Sequence, residues 1–305
     1  MRPVDSAPDM SVCIVSTDGR EDLLRCLDSV FRNPPSGPFE VLVIDNASTD
    51  GTAAAVRERF SERVDLTVLP ERHGKAENDS ALMTRARGRF CLLLNEDSEL
   101  TAGAADTLRE ALERNPRAAA AGARLLSPAG AAQPSAWRFP GVRTALAGAV
   151  FLHRRATVQS GGEREREVDW VQSAGMLVRR DAFEQVGPLD PAFFVYSDEV
   201  DWQKRAHDGG WSVLYVPAAA IMHREQLSGD TGSPRRIVEF ARNRNAYMRK
   251  HHGRPAALVV RLLTAWAYAL RALAALVLPG HSARRYARHA YHSLFPSRGE
   301  GMRPR

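Results

Sequence analysis

Two polar residues follow the apolar run at residues 41–44. Asp45 and Asn46 open the segment DNASTDGT, whose small side chains would let a ligand approach the backbone closely. A carboxylate here can accept a hydrogen bond from a nucleobase N–H or a ribose hydroxyl. Helix capping accounts for residues 48–50 but leaves Asp45 and Asn46 unexplained. The pattern therefore predicts that Asp45 binds a nucleotide.

A second polar cluster follows the apolar run at residues 91–94. Asn95, Glu96 and Asp97 offer oxygen atoms, the ligands that Mg²⁺ and Mn²⁺ prefer, and one aspartate can suffice when substrate phosphates complete the shell. The alternative is an acidic first turn that complements the dipole of the next helix, which would suit Glu99 better than Asp97. We therefore expect Asp97 to bind a divalent metal ion.

A third cluster, YSDEVDWQKR, opens a predicted helix. Asp198 and Asp201 are three residues apart and share a face, whereas Glu199 points about 100° away from Asp198. One acid can therefore face a pocket while Asp201 pairs with Arg205, one turn further on. Acids in a first turn are also common for dipole reasons alone. His223 closes a later apolar stretch, and a lone histidine is more often structural than a ligand.

Strands and helices alternate through the first hundred residues, and the polar clusters lie where strands end. Such alternation implies a parallel sheet with right-handed crossovers and a ligand crevice at the carboxyl ends of its strands. We therefore predict an α/β fold. The predicted strands cover residues 11–16, 41–44, 64–70 and 89–100, and the predicted helices cover residues 21–33, 51–60 and 78–87.

The pattern becomes less regular beyond residue 100. A helix is predicted over residues 102–115 and a strand over 118–126, whereas residues 127–167 are rich in Pro, Gly and Arg. We expect that loop-rich region to close over a substrate. After the acidic helix, two short strands are predicted at residues 212–217 and 220–223.

The amino-acid composition excludes several classes of protein. The 305 residues are 44% hydrophobic, enough for a buried core, and the net charge of +6 favours phosphates or anionic lipid as partners. The N-terminus lacks the apolar stretch of a signal peptide. No nucleic-acid partner is predicted, because the basic residues lack interleaved aromatic residues. Disulfide scaffolds and zinc ribbons are excluded by the sparse, unpaired cysteines Cys13, Cys26 and Cys91.

Residues 257–280 form an overwhelmingly apolar tail segment. Arg261 and Arg271 interrupt it, and each would cost about 2.5–3.5 kcal/mol at the centre of a bilayer, so a simple membrane span is disfavoured. Basic residues flank the segment on both sides, which is typical of a helix lying in the interface of an anionic membrane. The alternative is a helix that packs on the globular domain or on a partner subunit.

In this order, the clusters resemble the family 2 glycosyltransferases, especially bacterial rhamnosyltransferase-like members. The resemblance runs from about residue 11 to residue 223 and includes the segments VLVIDNASTDGT, HGKAEN, LLLNEDSEL, SAGMLVRRDAFEQVGPLDPAFF and SDEVDWQKRAHDGGWSVLYVPAAAIMH. It implies a GT-A fold, a Rossmann-like, mostly parallel sheet flanked by helices, here followed by a C-terminal helical tail. It also implies an inverting, metal-dependent transfer of a sugar from a nucleotide-diphosphate-sugar to an acceptor hydroxyl.

The resemblance also assigns roles residue by residue. It implies a nucleoside pocket, a donor loop, a divalent metal (Mg²⁺ or Mn²⁺) and a catalytic base. The implied donor-binding residues are Ser16, Asp18, Asp45, Asn46, Gly74, Lys75, Asn78, Asn95 and Glu96, the metal ligands Asp97 and His223, and the catalytic acids Glu199 and Asp198.

Two departures from the family pattern affect these roles. Asn95 stands at the first position of the family's DxD metal motif, as in its N-P-D variants, so Asp97 is the metal carboxylate. The family's Glu-Asp pair is inverted to Asp198-Glu199. Glu199 therefore stands where the family has its catalytic aspartate, and Asp198 is the alternative base.

The sequence thus predicts a disordered N-terminus at residues 1–10, a catalytic domain at residues 11–230 and a helical, membrane-interfacial region at residues 231–305. We expect a peripheral enzyme on the cytoplasmic face of the cell membrane, acting in cell-envelope or polysaccharide biosynthesis on a glycan or lipid-linked acceptor. The C-terminal helices could also join two copies. The rival hypothesis is an inactive module of the same fold that binds nucleotide or glycan. A dinucleotide-dependent oxidoreductase is disfavoured, because no G-x-G-x-x-G follows the first strand.

Overall fold

The computed structural model describes residues 7–224 and 233–303. Within these residues a ten-stranded mixed sheet forms the centre of the fold, and a two-stranded sheet lies beside it. The strands are β1 (Met10–Ser16), β2 (Phe39–Asp45), β3 (Asp65–Val68), β4 (Phe90–Asn95), β5 (Ser98–Leu100), β6 (Ala118–Leu126), β7 (Ala132–Gln133), β8 (Ala136–Trp137), β9 (Arg166–Val168), β10 (Trp170–Val171), β11 (Gly175–Arg179) and β12 (Ser212–His223).

The strand order in the large sheet is β3-β2-β1-β4-β11-β6-β12-β5, with β7 on β6 and β9 on β12. β3, β2, β1 and β4 run parallel, as predicted. β11 then joins antiparallel to both β4 and β6, which extends the sheet beyond the parallel half. Ser16 and Asp45 are register partners at the ends of β1 and β2, so the predicted polar clusters do meet at one edge.

Helices cover both faces of the sheet, and those that pack on it bury apolar residues. In the first of them, Leu23, Leu27 and Val30 recur at helical spacing and are fully buried. The helices are α1 (Arg20–Arg32), α2 (Thr52–Phe60), α3 (Lys75–Arg85), α4 (Ala104–Arg114), α5 (Val142–Ala149), α6 (His153–Thr157), α7 (Arg180–Val186), α8 (Asp198–Asp208), α9 (Pro234–Ala274) and α10 (Ala283–Leu294).

Several boundaries differ from those expected. β1 begins at Met10, one residue before the predicted domain boundary, while residues 1–6 of the predicted disordered N-terminus lie outside the described residues. The predicted boundary at residue 230 also lies outside them. The two strands predicted at 212–217 and 220–223 form one strand, β12. It pairs with β6 on both sides of an irregularity between Val216 and Ala220, where the register shifts.

The C-terminal helix α9 is longer than the predicted segment 257–280. It starts at Pro234 and bends at Gly253, whose φ of 81° is non-helical, close to Pro255. The part before Gly253 packs on the sheet domain and buries Tyr247 and Met248. The part after it buries Ala257 and Val260 but leaves Leu258 and Trp266 exposed. Among the described helices, α9 as a whole is the one that is long and apolar enough to cross a membrane. A single helix of this kind is weak evidence for a membrane span.

A buried charge cluster joins α9 to the acidic helix α8. Asp201 is fully buried and, as predicted, pairs with Arg205, with a Nε–Oδ2 distance of 3.0 Å. Its other oxygen lies 2.7 Å from both Lys250 Nζ and His251 Nε2 of α9. Lys250 also pairs with Asp190, just ahead of α8. The tail is therefore attached to the helix that carries the predicted catalytic acids.

We predict that Asp201→Asn lowers the free energy of unfolding by about 3–5 kcal/mol, because it leaves buried cations without their counter-charge. Asp208→Asn is the matched control on the same helix: its pair with Lys204 is exposed, so its cost should be below about 1 kcal/mol. Urea unfolding measures both. Equal midpoints for the two variants would show that the α8–α9 joint contributes little.

Candidate active site

The ends of β1 and β2 form the floor of the site. Ser16 is fully buried, and Asp45, at 1% exposure, accepts a hydrogen bond from Ser48 N at 3.0 Å through one carboxylate oxygen. The Asp45 carbonyl accepts from Leu69 N, which holds the chain beyond β3 against the same edge. Both predicted residues therefore lie where the crevice was expected.

Asn46 connects three loops through one side-chain amide. Its Oδ1 accepts from His73 N at 2.8 Å, and its Nδ2 lies 3.1 Å from both His73 O and Thr17 Oγ1. The amide thus clamps the backbone of the segment that leads into Gly74. Its observed contacts are with the protein, so Asn46 positions the predicted donor loop.

Asp18 joins the loop after β1 to its neighbours. Its Oδ1 accepts from Thr49 N at 2.7 Å, and its Oδ2 forms an ion pair with Arg72. The hydrogen bond from Thr49 and the charge of Arg72 outweigh partial burial and lower the pKa of Asp18. Asp18 also has a positive φ of 51°, unusual for a residue with a side chain. The loop is therefore held in one conformation by charge and by backbone contacts.

Glu96 braces the same loop from β4. Its carboxylate accepts from Thr17 N at 2.8 Å, and a Cβ at residue 19 would come within 2.6 Å of it, so Gly19 leaves room for the carboxylate. Burial raises the pKa of Glu96 to about 7, against the hydrogen bonds from Ser16 and Thr17 that lower it. Glu96 therefore contacts the loop that would carry the nucleotide.

The predicted donor loop packs directly against the segment that precedes α8. A Cβ on Gly74 would come within 3.0 Å of the Phe194 carbonyl, which also accepts from Lys75 N at 2.7 Å. Asn78 is nearly fully buried, and within the described residues its Nδ2 finds no hydrogen-bond acceptor. Such an orphaned donor is available to a ligand.

Asp97 and His223 are brought together by the antiparallel pairing of β5 with β12. His223 stands opposite Ser98 in that register, and its Nε2 lies 3.3 Å from Asp97 Oδ1 and 3.4 Å from Asn95 Nδ2. Ligands about 2.1 Å from an octahedral ion lie about 3 Å apart, so the pair fits a shared divalent cation. Residues 7–224 and 233–303 contain no cluster of three or more such side chains, so substrate oxygens would have to complete the shell.

The acid pair at the start of α8 divides into a buried and an accessible carboxyl group. Asp198 is fully buried, and no donor among the described residues reaches either of its oxygens. Burial, together with the charge of Glu199, raises the pKa of Asp198 well above its usual range, against the opposing charge of Lys75. Asp198 therefore binds its proton more tightly than an ordinary aspartate does. Glu199 is only partly buried and is the acid that can meet a substrate.

Lys75 links the donor loop to these acids. Its ammonium group forms an ion pair with the buried Asp79. Burial lowers the pKa of Lys75, but the charges of Asp79, Asp198 and Glu199 outweigh that effect and raise it. Lys75 thus stays cationic between the donor loop and the acid pair.

Comparison with known proteins identifies the family. The family model for Glycosyl transferase family 2 matches residues 11–187, more than half of the chain. The chain belongs to glycosyl transferase family 2. It is 33% identical over 212 residues to an N-acetylglucosaminyl-diphospho-decaprenol L-rhamnosyltransferase of Mycobacterium tuberculosis, covering 63% of this chain and 68% of that protein. It is also 32% identical over 237 residues to the O-antigen biosynthesis protein RfbC of Myxococcus xanthus, covering 74% of this chain but 18% of RfbC.

Solved structures confirm the GT-A fold of this family 2 glycosyltransferase. A mannosyltransferase from Pyrobaculum calidifontis, in complex with GDP-Man and Mn²⁺, matches with a TM-score of 0.60 and 18% identity, covering 96% of this chain and 86% of that chain. GalNAc-T7 with UDP, GalNAc and Mn²⁺ matches with a TM-score of 0.58 and 14% identity, covering 79% and 48%. At these identities the likeness establishes the fold alone.

The helical tail of this family 2 glycosyltransferase supports the acid pair, a role that the sequence did not reveal. Tyr196 and Ser197 both have a φ of 66°, the left-handed region that side chains rarely adopt, directly before Asp198. Asn243 Nδ2 of α9 donates to the Val195 carbonyl at 2.6 Å, and the ring of Phe240 packs edge-on against Tyr196. No local pattern links α9 to this turn, since about 45 residues separate them.

We predict that Glu96→Gln changes the pH dependence of stability. The folded chain holds the Glu96 proton up to about pH 7, whereas an unfolded glutamate ionises near 4.5, so this carboxyl's contribution to stability is lost as the pH rises between these values. Glutamine keeps an acceptor for Thr17 but does not titrate. The melting temperature of Glu96→Gln relative to wild type should therefore rise from pH 5 to pH 8.

Glu58→Gln, at an exposed position of α2, is the control and should show a constant difference from wild type across the same range. A Glu96→Gln difference that is flat with pH would mean that the Glu96 carboxylate is not buried as described.

Proposed function

We propose that this family 2 glycosyltransferase is an inverting enzyme that moves a sugar from a nucleotide-diphosphate-sugar to the hydroxyl of a lipid-linked or glycan acceptor in cell-envelope polysaccharide biosynthesis. The observation that carries the proposal is the 3.3 Å approach of His223 to Asp97 beside the ends of the parallel strands. A second pair of acids, Asp198 and Glu199, lies near Lys75 of the donor loop. The names of the Mycobacterium and Myxococcus relatives, a rhamnosyltransferase acting on a decaprenol-linked sugar and an O-antigen biosynthesis protein, support the choice of pathway class.

The donor would lie across the ends of β1, β2 and β4. Asp45 and Asp18 face its nucleoside, and Asn78 offers its unpaired amide N–H groups. Asp97 and His223 would hold a divalent ion together with the donor diphosphate, as their 3.3 Å separation allows. When bound, such an ion neutralises the charge that develops on the leaving diphosphate.

Glu199 acts as the general base. It accepts the proton of the acceptor hydroxyl as that oxygen forms a bond to the anomeric carbon and the bond from this carbon to the diphosphate oxygen breaks. One displacement inverts the configuration. Asp198 is fully buried next to Glu199 in the chain, and Lys75 balances the charge of the pair.

We predict that Glu199→Gln lowers metal-dependent transfer by about 10²–10⁴-fold, the usual cost of losing a general base. Asp198→Asn should cost less, because Asp198 is fully buried whereas Glu199 is accessible to a substrate. Asp97→Ala should abolish stimulation by Mn²⁺ or Mg²⁺. Release of nucleoside diphosphate from UDP-, dTDP- and GDP-sugars, with membrane lipid extract as acceptor, measures all three.

Glu184→Gln, an exposed position on α7, is the control for removing a negative charge and should behave as wild type. A larger loss for Asp198→Asn than for Glu199→Gln would make Asp198 the base. Nucleotide binding without release from any donor, even with lipid extract, would instead support the inactive module.

We propose further that the enzyme is peripheral on the cytoplasmic face of the cell membrane. Large apolar side chains at the ends of α5 and α9 are exposed, up to 83% for Val277, and the Arg271 guanidinium lies 4.7 Å from the Phe151 ring centroid, which ties the two ends together. The exposed residues Arg154, Arg155 and Arg284 lie nearby in the chain and suit anionic headgroups. We call the apolar set the apolar tip: Leu146, Val150, Phe151, Leu152, Leu273, Leu276, Val277 and Leu278.

We predict that the double substitution Leu273→Glu with Val277→Glu weakens binding to phosphatidylglycerol vesicles by at least about 10-fold, since each buried aliphatic side chain contributes about 1.5–3 kcal/mol. Val68→Glu, which charges an exposed apolar residue on β3, should leave binding unchanged. Flotation measures the bound fraction. Undiminished flotation of the double variant would reject the tip as the anchor, and a lipid-free shift from dimer to monomer would assign it to a second copy.

A further inference from the structure

Arg236, in the first turn of α9, is a buried cation with an unused hydrogen-bond donor. Its side chain is nearly enclosed, at 8% residue exposure, and its Nη2 finds no acceptor within residues 7–224 and 233–303. A buried charge is costly unless a counter-charge and hydrogen bonds compensate for it. The position of Arg236 therefore calls for an anionic partner.

The nearest acid on the same helix is already engaged. Glu239 is fully buried and accepts hydrogen bonds from Asn243 Nδ2 at 3.2 Å and from Met302 N at 3.1 Å. It also pairs with Arg242, with an N–O distance of 3.4 Å. Its charge is thus shared with another arginine, and no ion pair within 4.0 Å joins it to Arg236 among the described residues.

Arg236 lies on the face of α9 that docks beside the acid pair. Residues 236, 240 and 243 share one helical face. Phe240 packs on Tyr196 with ring centroids 5.7 Å apart, and Asn243 binds the Val195 carbonyl. Burial raises the pKa of Tyr196. The positive charge of Arg236 lowers this pKa and the negative charge of Glu199 raises it, so both charged groups lie near the ring.

The adjoining face of α9 adds more positive charge. Arg235 and Arg242 line a cleft of about 380 Å³ together with Arg72 of the donor-loop segment and Arg303 near the C-terminus. Glu300 is the one acid among its described lining residues. We call this the arginine cleft. Guanidinium groups bind phosphate oxygens in bidentate geometry. The N-terminus of a helix also favours anions, through its free backbone N–H groups and its dipole.

We propose that Arg236 binds a phosphate group, that the arginine cleft on the adjoining face of α9 attracts this phosphate, and that the phosphate belongs to the acceptor. The inference deepens the proposed function and rests on it. Arg236 shares the surroundings of Tyr196 with Glu199, the base for the acceptor hydroxyl. The donor diphosphate would instead lie at the divalent ion that Asp97 and His223 would hold. An acceptor that carries a diphosphate next to its reacting sugar would place that group beside Arg236.

The test compares farnesyl diphosphate with farnesol as probes of the full-length protein, by calorimetry in the presence of EDTA. The two probes share an apolar chain, so contact with the apolar tip cancels and their difference reports the phosphates. Wild type should bind the diphosphate more tightly, and Arg236→Gln should weaken that binding by about 10- to 100-fold without affecting farnesol. Arg249→Gln, an exposed arginine of the same helix, should match wild type.

The melting temperature of Arg236→Gln distinguishes a role of Arg236 in binding from a role in stabilising the fold. Removal of an unpaired buried charge should leave the melting temperature of Arg236→Gln equal to or above that of wild type. If Arg236→Gln does not fold, the exposed Arg235→Gln decides, with an expected loss of about threefold for the diphosphate alone.

The proposal is overturned if wild type binds both probes equally or if the deciding variant binds the diphosphate as wild type does. Displacement of the diphosphate by excess UDP, dTDP or GDP would also overturn it, because the arginines would then belong to the donor site. Turnover is not needed for this binding assay, so an inactive protein that still discriminates the two probes would reject the proposed function and not this site.

Discussion

Buried negative charge is the constraint on which this site depends. Asp97, Asp198 and Asp201 are almost completely removed from solvent, and a carboxyl group so placed must either find a cation or keep its proton. Asp201 pairs with Arg205 and Lys250, Asp97 lies 3.3 Å from His223, and burial raises the pKa of Asp198. Each of these buried acids interacts with a different part of the chain. The acids thereby specify how α8 meets α9, and how β5 meets β12.

The first half of the fold could be predicted because its pattern is local. Continuous apolar runs bounded by polar turns gave β1, β2 and β4 and the edge at which Asp45 and Asp97 lie. The antiparallel insertion of β11 could not be predicted, since strand pairing depends on packing between distant segments. Likewise the amide of Asn46 binds His73, and only the folded chain shows that contact. Residue type and spacing therefore predict which residues line the candidate site, while the contacts among those residues depend on the tertiary structure.

The two parts of the helical tail differ: the first packs on the sheet domain, and the second carries exposed apolar residues. Before the bend at Gly253, α9 supports the strained turn at Tyr196 and Ser197, and after it the helix carries exposed apolar residues. The charged first half has no apolar run, so the sequence indicated only the second half. A backbone held at positive φ persists when its neighbours over-determine it. Asn243 and Phe240 provide that support, which makes the tail a structural requirement of the acid pair.

This arrangement also relates the membrane to the chemistry. At a rise of 1.5 Å per residue, Arg236 and Leu258 lie no more than about 33 Å apart along α9, and the bend at Gly253 shortens that distance. Phe240, Leu258 and Val259 are exposed apolar residues on this path. An acceptor with a long apolar chain and a phosphate at Arg236 can therefore follow α9 toward the apolar tip. One helix would then position the base, hold the acceptor's charge and lead its chain to the lipid.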